Sequence, residues 1–263
     1  LDDDLLGGLG ADPSGEFGRV DHLAGVEPAD AAVGAVDRPV TLADLAPTAA
    51  RILKYDAYAA PDGHPLEEAI ADTATPPKLI VTVVWDAGGM NVLDQWPDAW
   101  PYLRSLIGDG VWYSDASIGS SPSSTAQIHA TIGTGAFPRT HGLVGHRLRI
   151  GDRITTPWAR GPAFMITPTL ADLYDLSMGN APVVGELGTV SIHFGMLGHG
   201  SYWHGGDKDI ATTREVEDAE TLGAETFTWN LSSDLRPYYR FPEYVNDVPG
   251  FEDDVRAVDE ADG

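Results

Sequence analysis

The sequence predicts an α/β fold built on a mostly parallel central sheet with helices on both faces. Three observations predict it. The run Leu79 to Trp85 (LIVTVVW) is apolar almost throughout, as suits a parallel strand covered on both faces. It ends on Asp86, Ala87, Gly88 and Gly89, the turn chemistry expected at a strand tip. Further on, Ser120 to Gly135 (SSPSSTAQIHATIGTG) places a hydroxyl-rich loop before a helical pattern, and strands that alternate with helices imply parallel pairing.

Each element follows in order. Residues 1 to 38 are rich in Gly, Asp, Ala and Pro without periodicity and read as a loosely packed lead-in. Thr41 to Lys54 carries Leu42, Leu45, Ala49, Ile52 and Leu53 on one helical stripe, with Thr41 as the N-cap. Pro47 either opens the stable part of that helix or kinks it. Pro61-Asp62-Gly63 reads as a turn, Leu66 to Ala71 as a short helix, and Thr75-Pro76-Pro77 as a linker into the strand at Leu79. Trp100 to Ile107 is the helix that crosses back, Val111 to Ser114 a second strand, and Ala126 to Gly133 and Thr169 to Leu176 are helices. Pro182 to Val184 and Thr189 to Ile192 supply further strand material, and beyond residue 200 the pattern weakens. The division is therefore an N-terminal extension over 1–75 with a helical segment, and an α/β domain over 76–263.

Composition narrows the function classes. Forty acidic residues face sixteen basic ones, for a formal charge of −24, so polyanions are repelled and binding to a nucleic-acid polymer is not expected. The absence of cysteine excludes thiolate zinc sites and Cys nucleophiles, leaving Asp, Glu, His and hydroxyl groups to hold any metal. No apolar stretch approaches the roughly 18 residues of a membrane-spanning helix.

The chemistry-bearing residues gather around the strand tip and the loop. Ser120, Ser121, Ser123, Ser124 and Thr125 all offer a hydroxyl, a poor nucleophile until a base or a metal activates it. Thr125 stands where a helix begins, so backbone N–H groups could hold an anionic oxygen beside it. A plain capping loop accounts for the same residues, and a turn-capping role accounts for Asp86. His129, His141 and His146 are spaced unlike a compact helical ligand pair. The segment GHGSYWHGGDKD, with His199, His204, Asp207 and Asp209, reads as a polar loop that reaches a ligand or simply turns.

Taken together, these residues resemble the type I phosphodiesterase and nucleotide pyrophosphatase branch of the alkaline phosphatase superfamily. Asp86 with Gly88, then Thr125, His129, Thr134-Gly135 and Phe137-Pro138-Arg139-Thr140-His141-Gly142 stand in that branch's order and spacing. The resemblance covers roughly Lys78 to His146. It implies an alkaline-phosphatase-like fold, Asp86 as a metal ligand, Thr125 as both ligand and nucleophile, and His129 and His141 as residues that shape the loop. It also implies two divalent ions, zinc foremost, a small phosphodiester or nucleotide pyrophosphate as substrate, and an extracellular or periplasmic location.

Some positions depart from the family pattern. Ala126, Gln127 and Ile128 stand where the family has Phe-Pro-Asn, so Gln127 is the substitute for a substrate-binding Asn. His146 replaces an Asn after His-Gly. The downstream Asp and His ligands of the family have no match after residue 150, and Asp21-His22 is the only Asp-His pair. The expectation is thus an incomplete domain that continues beyond Gly263. Thr41 to Leu66 resembles a helix-and-turn element that the superfamily places nearer its C-terminus. Two other readings stay open: a noncatalytic relative that keeps the sheet and loop, and an acidic binding module that uses the aromatic segment Tyr202 to Tyr244.

Overall fold

The computed structural model of the chain describes residues 34–159, 161–217 and 226–248. Most of the expected lead-in and the acidic stretch from Phe251 lie outside the described residues, as does Asp21-His22. The end of the lead-in is ordered into a strand, β1 (Gly34–Val36), followed by β2 (Val40–Thr41) and a 3-10 turn at Leu42–Asp44. Thr41 opens that turn through a capping box in which its N–H donates to Asp44 Oδ2 at 2.7 Å, satisfying donors that helix starts leave free. Helix α1 (Leu45–Ile52) follows. Pro47 lies in its first turn, where no intrahelical N–H bond is lost, so it starts the helix and does not kink it.

The expected central strand is not formed. Leu79, Val81 and Val83 are 72%, 70% and 76% exposed, and the segment joins no ladder among the described residues. A strand covered on both faces needs neighbours on both edges and layers above and below, and the described part of the chain supplies neither. What forms instead is a mixed α/β arrangement of small sheets. Past Asp86 come a single turn, α2 (Met90–Leu93), and α3 (Pro101–Asp109), with Pro101 at the first helical position. Then β3 (Val111–Tyr113) pairs in parallel with β1, and β4 (Ala116–Ser117) in parallel with β2.

Helix α4 (Thr125–Thr134) is the packing centre, with every residue from Ala126 to Thr134 buried. It contacts α1, the short α5 (Pro138–His141), α6 (Leu170–Ser177) and a 3-10 turn at Ser191–His193. Glycine permits the last of these approaches. A Cβ on Gly133 would lie 2.4 Å from Gly195 O, and one on Gly195 would lie 2.5 Å from Ala130 N. The two backbones touch where side chains would hold them apart.

Residues 34–75 pack onto the same helix. Tyr58 Oη donates to Thr134 O at 2.8 Å. Asp62 accepts from Phe137 N at 2.8 Å and Thr140 Oγ1 at 3.0 Å and pairs with Arg139, bracing the start of α5. Between α5 and α6 runs an antiparallel hairpin of β5 (Leu148–Ile150) and β6 (Arg153–Thr155).

The remaining core gathers Leu143, Trp158, Met165, Phe194, Leu197 and Tyr239. Trp158 Nε1 donates to Tyr239 Oη at 2.9 Å, and that hydroxyl donates to Gly198 O at 2.7 Å, so the polar tips of both rings are satisfied inside. Helix α6 starts at a capping box between Thr169 and Asp172. Strand material after it falls at β7 (Gly185–Leu187), a few residues from the expected runs, and Ser191–His193 is a 3-10 turn where a strand was expected. β7 pairs in parallel with β8 (Ile210–Glu217), which pairs antiparallel with β9 (Thr226–Asn230).

Candidate active site

Asp86 and Thr125 meet. Thr125 is the first residue of α4, and its Oγ1 donates to Asp86 Oδ2 at 2.9 Å. Ser124, in extended backbone, is the N-cap, so the loop turns into the helix with the Thr125 hydroxyl at its positive end. Asp86 reaches this point from the tip of the exposed apolar run. The turn is tight: Ala87 holds a φ of +62°, a left-handed conformation that costs a residue with a Cβ about 1–2 kcal/mol. Half of the Asp86 side chain, 52%, remains open to solvent. An open apolar cleft lined by Trp85, Val92, Leu93, Trp96 and Trp100 runs alongside it.

A third group, His193, joins them, and sequence reasoning missed it. Its Nε2 lies 3.6 Å from Asp86 Oδ2, and its ring stacks on His129 with centroids 4.6 Å apart. The Gly133–Gly195 approach puts it there, because the turn that carries His193 lies flat on α4. The signal was present as the first of two His in a Gly-rich stretch, HFGMLGHG, but spacing alone could not link it to Asp86. Burial, and next the neighbouring His129, hold the His193 pKa below the usual histidine value against the pull of Asp86. His129 is lowered by burial in the same way, while its Nδ1–H donates to Thr125 O at 2.8 Å. That bond leaves the lone pair on Nε2.

His141 is fully buried, and burial pushes its pKa down to about 4. Leu143 N donates to its Nδ1 at 3.2 Å, so Nε2 carries the proton and donates to Thr131 Oγ1 at 3.2 Å. Thr131 in turn donates to Gln127 O at 3.0 Å. This neutral histidine ties α5 to α4. Gln127, the expected substrate-binding substitute, turns its side chain onto its own loop. Its side chain is buried, Oε1 accepts from Ser124 Oγ at 2.9 Å, and Nε2 donates to Pro122 O. Both ends of the amide brace the loop that carries Thr125.

The other sequence candidates fall elsewhere. His146 and His204 are exposed. His199 is buried with Nδ1 2.7 Å from Asp172 Oδ2 and Nε2 2.7 Å from Met165 O. Burial, the largest single influence, opposes its charge, but the bond to Asp172, the Asp172 charge and the Met165 carbonyl together outweigh it and raise the pKa. With both nitrogens committed, His199 is a buried cation that ties α6 to the 198–203 loop and has no lone pair for a metal.

A carboxylate, a hydroxyl and an imidazole nitrogen form an oxygen and nitrogen donor set that fits one divalent ion of the zinc type. Asp86, Thr125 and His193 are the residues that would hold it. A second ion at the same place lacks ligands: among the described residues, no group of three His, Asp or Glu side chains gathers there.

The chain thus brings together, at the start of α4, a hydroxyl bonded to a carboxylate from a tight turn and an imidazole beside that carboxylate. The model of the type I phosphodiesterase / nucleotide pyrophosphatase family matches residues 80–261. The chain therefore belongs to that family, within the alkaline phosphatase superfamily. No curated protein and no solved structure matches the chain.

Proposed function

We propose that the protein hydrolyses phosphodiester or nucleotide pyrophosphate bonds with Thr125 as the nucleophile. The observation that carries the reading is the 2.9 Å hydrogen bond from Thr125 Oγ1 to Asp86 Oδ2 at the start of α4. Asp86, Thr125 and His193 would hold a divalent ion, which when bound would lower the hydroxyl pKa and neutralise phosphate charge. The chain's own residues do the rest. Asp86 orients the Thr125 O–H, which gives up its proton to solvent as Oγ attacks phosphorus, and the leaving oxygen departs on the opposite side and takes a proton from solvent. The bond from Thr125 to phosphorus forms as the bond to the leaving oxygen breaks, and the retained ester group stays on the phosphoryl-threonine. Water then attacks phosphorus and restores the hydroxyl.

The first-turn N–H groups of α4 face the same point as Thr125 and suit a phosphoryl oxygen. His129, through its bond to the Thr125 carbonyl, and His141, through α5, hold that turn in place. Gln127 acts by keeping the loop folded. Two ions, zinc foremost, remain the family-based expectation, and the second would need ligands beyond the described residues. Family habit also supports an extracellular or periplasmic setting.

The test is turnover of a chromogenic phosphodiester. Thr125→Ala should reduce it at least about 1,000-fold, as removal of a nucleophile does, while Ser123→Ala keeps most of it. Equal loss in both variants would move the nucleophile elsewhere in the loop. A noncatalytic relative would give no turnover in any variant and no change on adding zinc.

A further inference from the structure

We propose that Asp175, Asp207 and Asp209 form a binding site for a hard divalent cation, with calcium as its ligand, separate from the Asp86–Thr125 site. Asp175 comes from the last turns of α6, and Asp207 and Asp209 from the loop that leads into β8. One carboxylate oxygen from each lies within 4.8 Å of the others. Three carboxylates at that separation cannot all ionise without strong repulsion, and either retained protons, as in the Asp175–Asp207 hydrogen bond, or a bound cation relieves it.

Asp207 is exposed, but the other two carboxylates are withdrawn from solvent. Asp175 is only 4% exposed, and its Oδ1 is buried without any hydrogen-bond partner. Asp209 is also buried, at 7% exposed. Nearby, Asn180 bridges the two elements: its N–H donates to Asp175 O and its side-chain amide to Gly205 O, yet its Oδ1 is buried and unpartnered too. Buried acceptors without donors are rare in folded proteins.

The local cations do not fill the gap. Lys208, between the two loop aspartates, turns its ammonium to Arg236 O at 2.6 Å. Arg240 attracts Asp209, but burial and the neighbouring carboxylates outweigh that pull and leave the Asp209 pKa raised. Ligands that are all oxygen, and largely carboxylate, select calcium or magnesium over zinc, and an irregular mix of side chains from a helix and a loop suits the flexible geometry of calcium. A cation here would clamp α6 to the start of β8. None of the three residues belongs to the candidate active site.

The full chain, freed of metal by a chelator and held at pH 8, is titrated with calcium chloride while unfolding temperature and heat of binding are recorded. Binding of one calcium per chain should raise the melting temperature by roughly 5 °C or more at saturation. Asp175→Asn and Asp209→Asn should melt no lower than the parent without calcium, because each relieves repulsion, and should bind it at least tenfold more weakly. Asp86→Ala should bind it as the parent does. The proposal is overturned if calcium neither releases heat nor shifts the melting temperature, if both Asn variants respond like the parent, or if the response disappears with Asp86→Ala.

Discussion

Thr125 and Asp86 are far apart in sequence, and a small number of side chains decide how they meet. The Asp86 turn, with Ala87 in a left-handed conformation, presents the carboxylate, and the buried amide of Gln127 braces the loop that carries Thr125. His193 completes the donor set, so His193→Ala should lower zinc affinity and diester turnover at least tenfold, measured by competition with a chromogenic chelator and by initial rates. Asp62 offers a separate test in stability. Burial alone would raise its pKa, but the Phe137 N–H, Thr140 and Arg139 together hold it below the usual carboxylate value. A depressed folded value means the stabilisation is present above the unfolded pKa and is lost as pH falls through the folded one. Denaturant titrations between pH 7 and pH 2 should therefore show Asp62→Asn costing stability near neutrality, with the difference from the parent vanishing in acid.

At the scale of elements, helices were the legible part. The stripes over Thr41 to Lys54, Trp100 to Ile107, Ala126 to Gly133 and Thr169 to Leu176 match α1, α3, α4 and α6 to within a few residues, because 3.6-residue periodicity and capping residues are local signals. Strands depend on partners that are distant in sequence, and there the reading diverged in part. Val111 to Ser114 matches β3, but Leu79 to Trp85 has the composition of a central strand and no strand partner among the described residues, while β8 and β9 pair in a region whose pattern looked weak. In the site, Asp86, Thr125, His129 and His141 were legible from an ordered motif. His193 was not, since only the backbone contact of Gly133 with Gly195 brings it to Asp86. That contact makes Gly195→Ala a direct probe. The added methyl meets Ala130 N at 2.5 Å, so overpacking should cost about 1–3 kcal/mol in denaturant unfolding and should weaken activity by moving His193.

For the whole molecule, the buried acids dominate the response to pH. Burial, then repulsion from Asp175, Asp172 and Asp207, pushes Asp209 up to about 8, and burial pushes Glu186 up to about 8 against the Leu197 N–H bond. Both folded values lie above the unfolded ones, so their stability contribution is complete below about pH 4 and is lost as pH rises through about 8. In chelator, unfolding free energy should fall between pH 5 and pH 8, and Glu186→Gln should flatten that fall. The exposed run Leu79 to Trp85 has the features of an unpaired edge. Val83→Lys should reduce self-association of the chain in light scattering. The reaction itself is tested most directly by trapping its intermediate. The chain with zinc is mixed with a phosphodiester, quenched in acid during turnover, digested and read by mass spectrometry. The account predicts a phosphoryl group bearing the retained ester on Thr125 in the parent and none in Thr125→Ala. Turnover with the adduct on Ser123 or Ser124, or with Thr125→Ala as active as the parent, would contradict it.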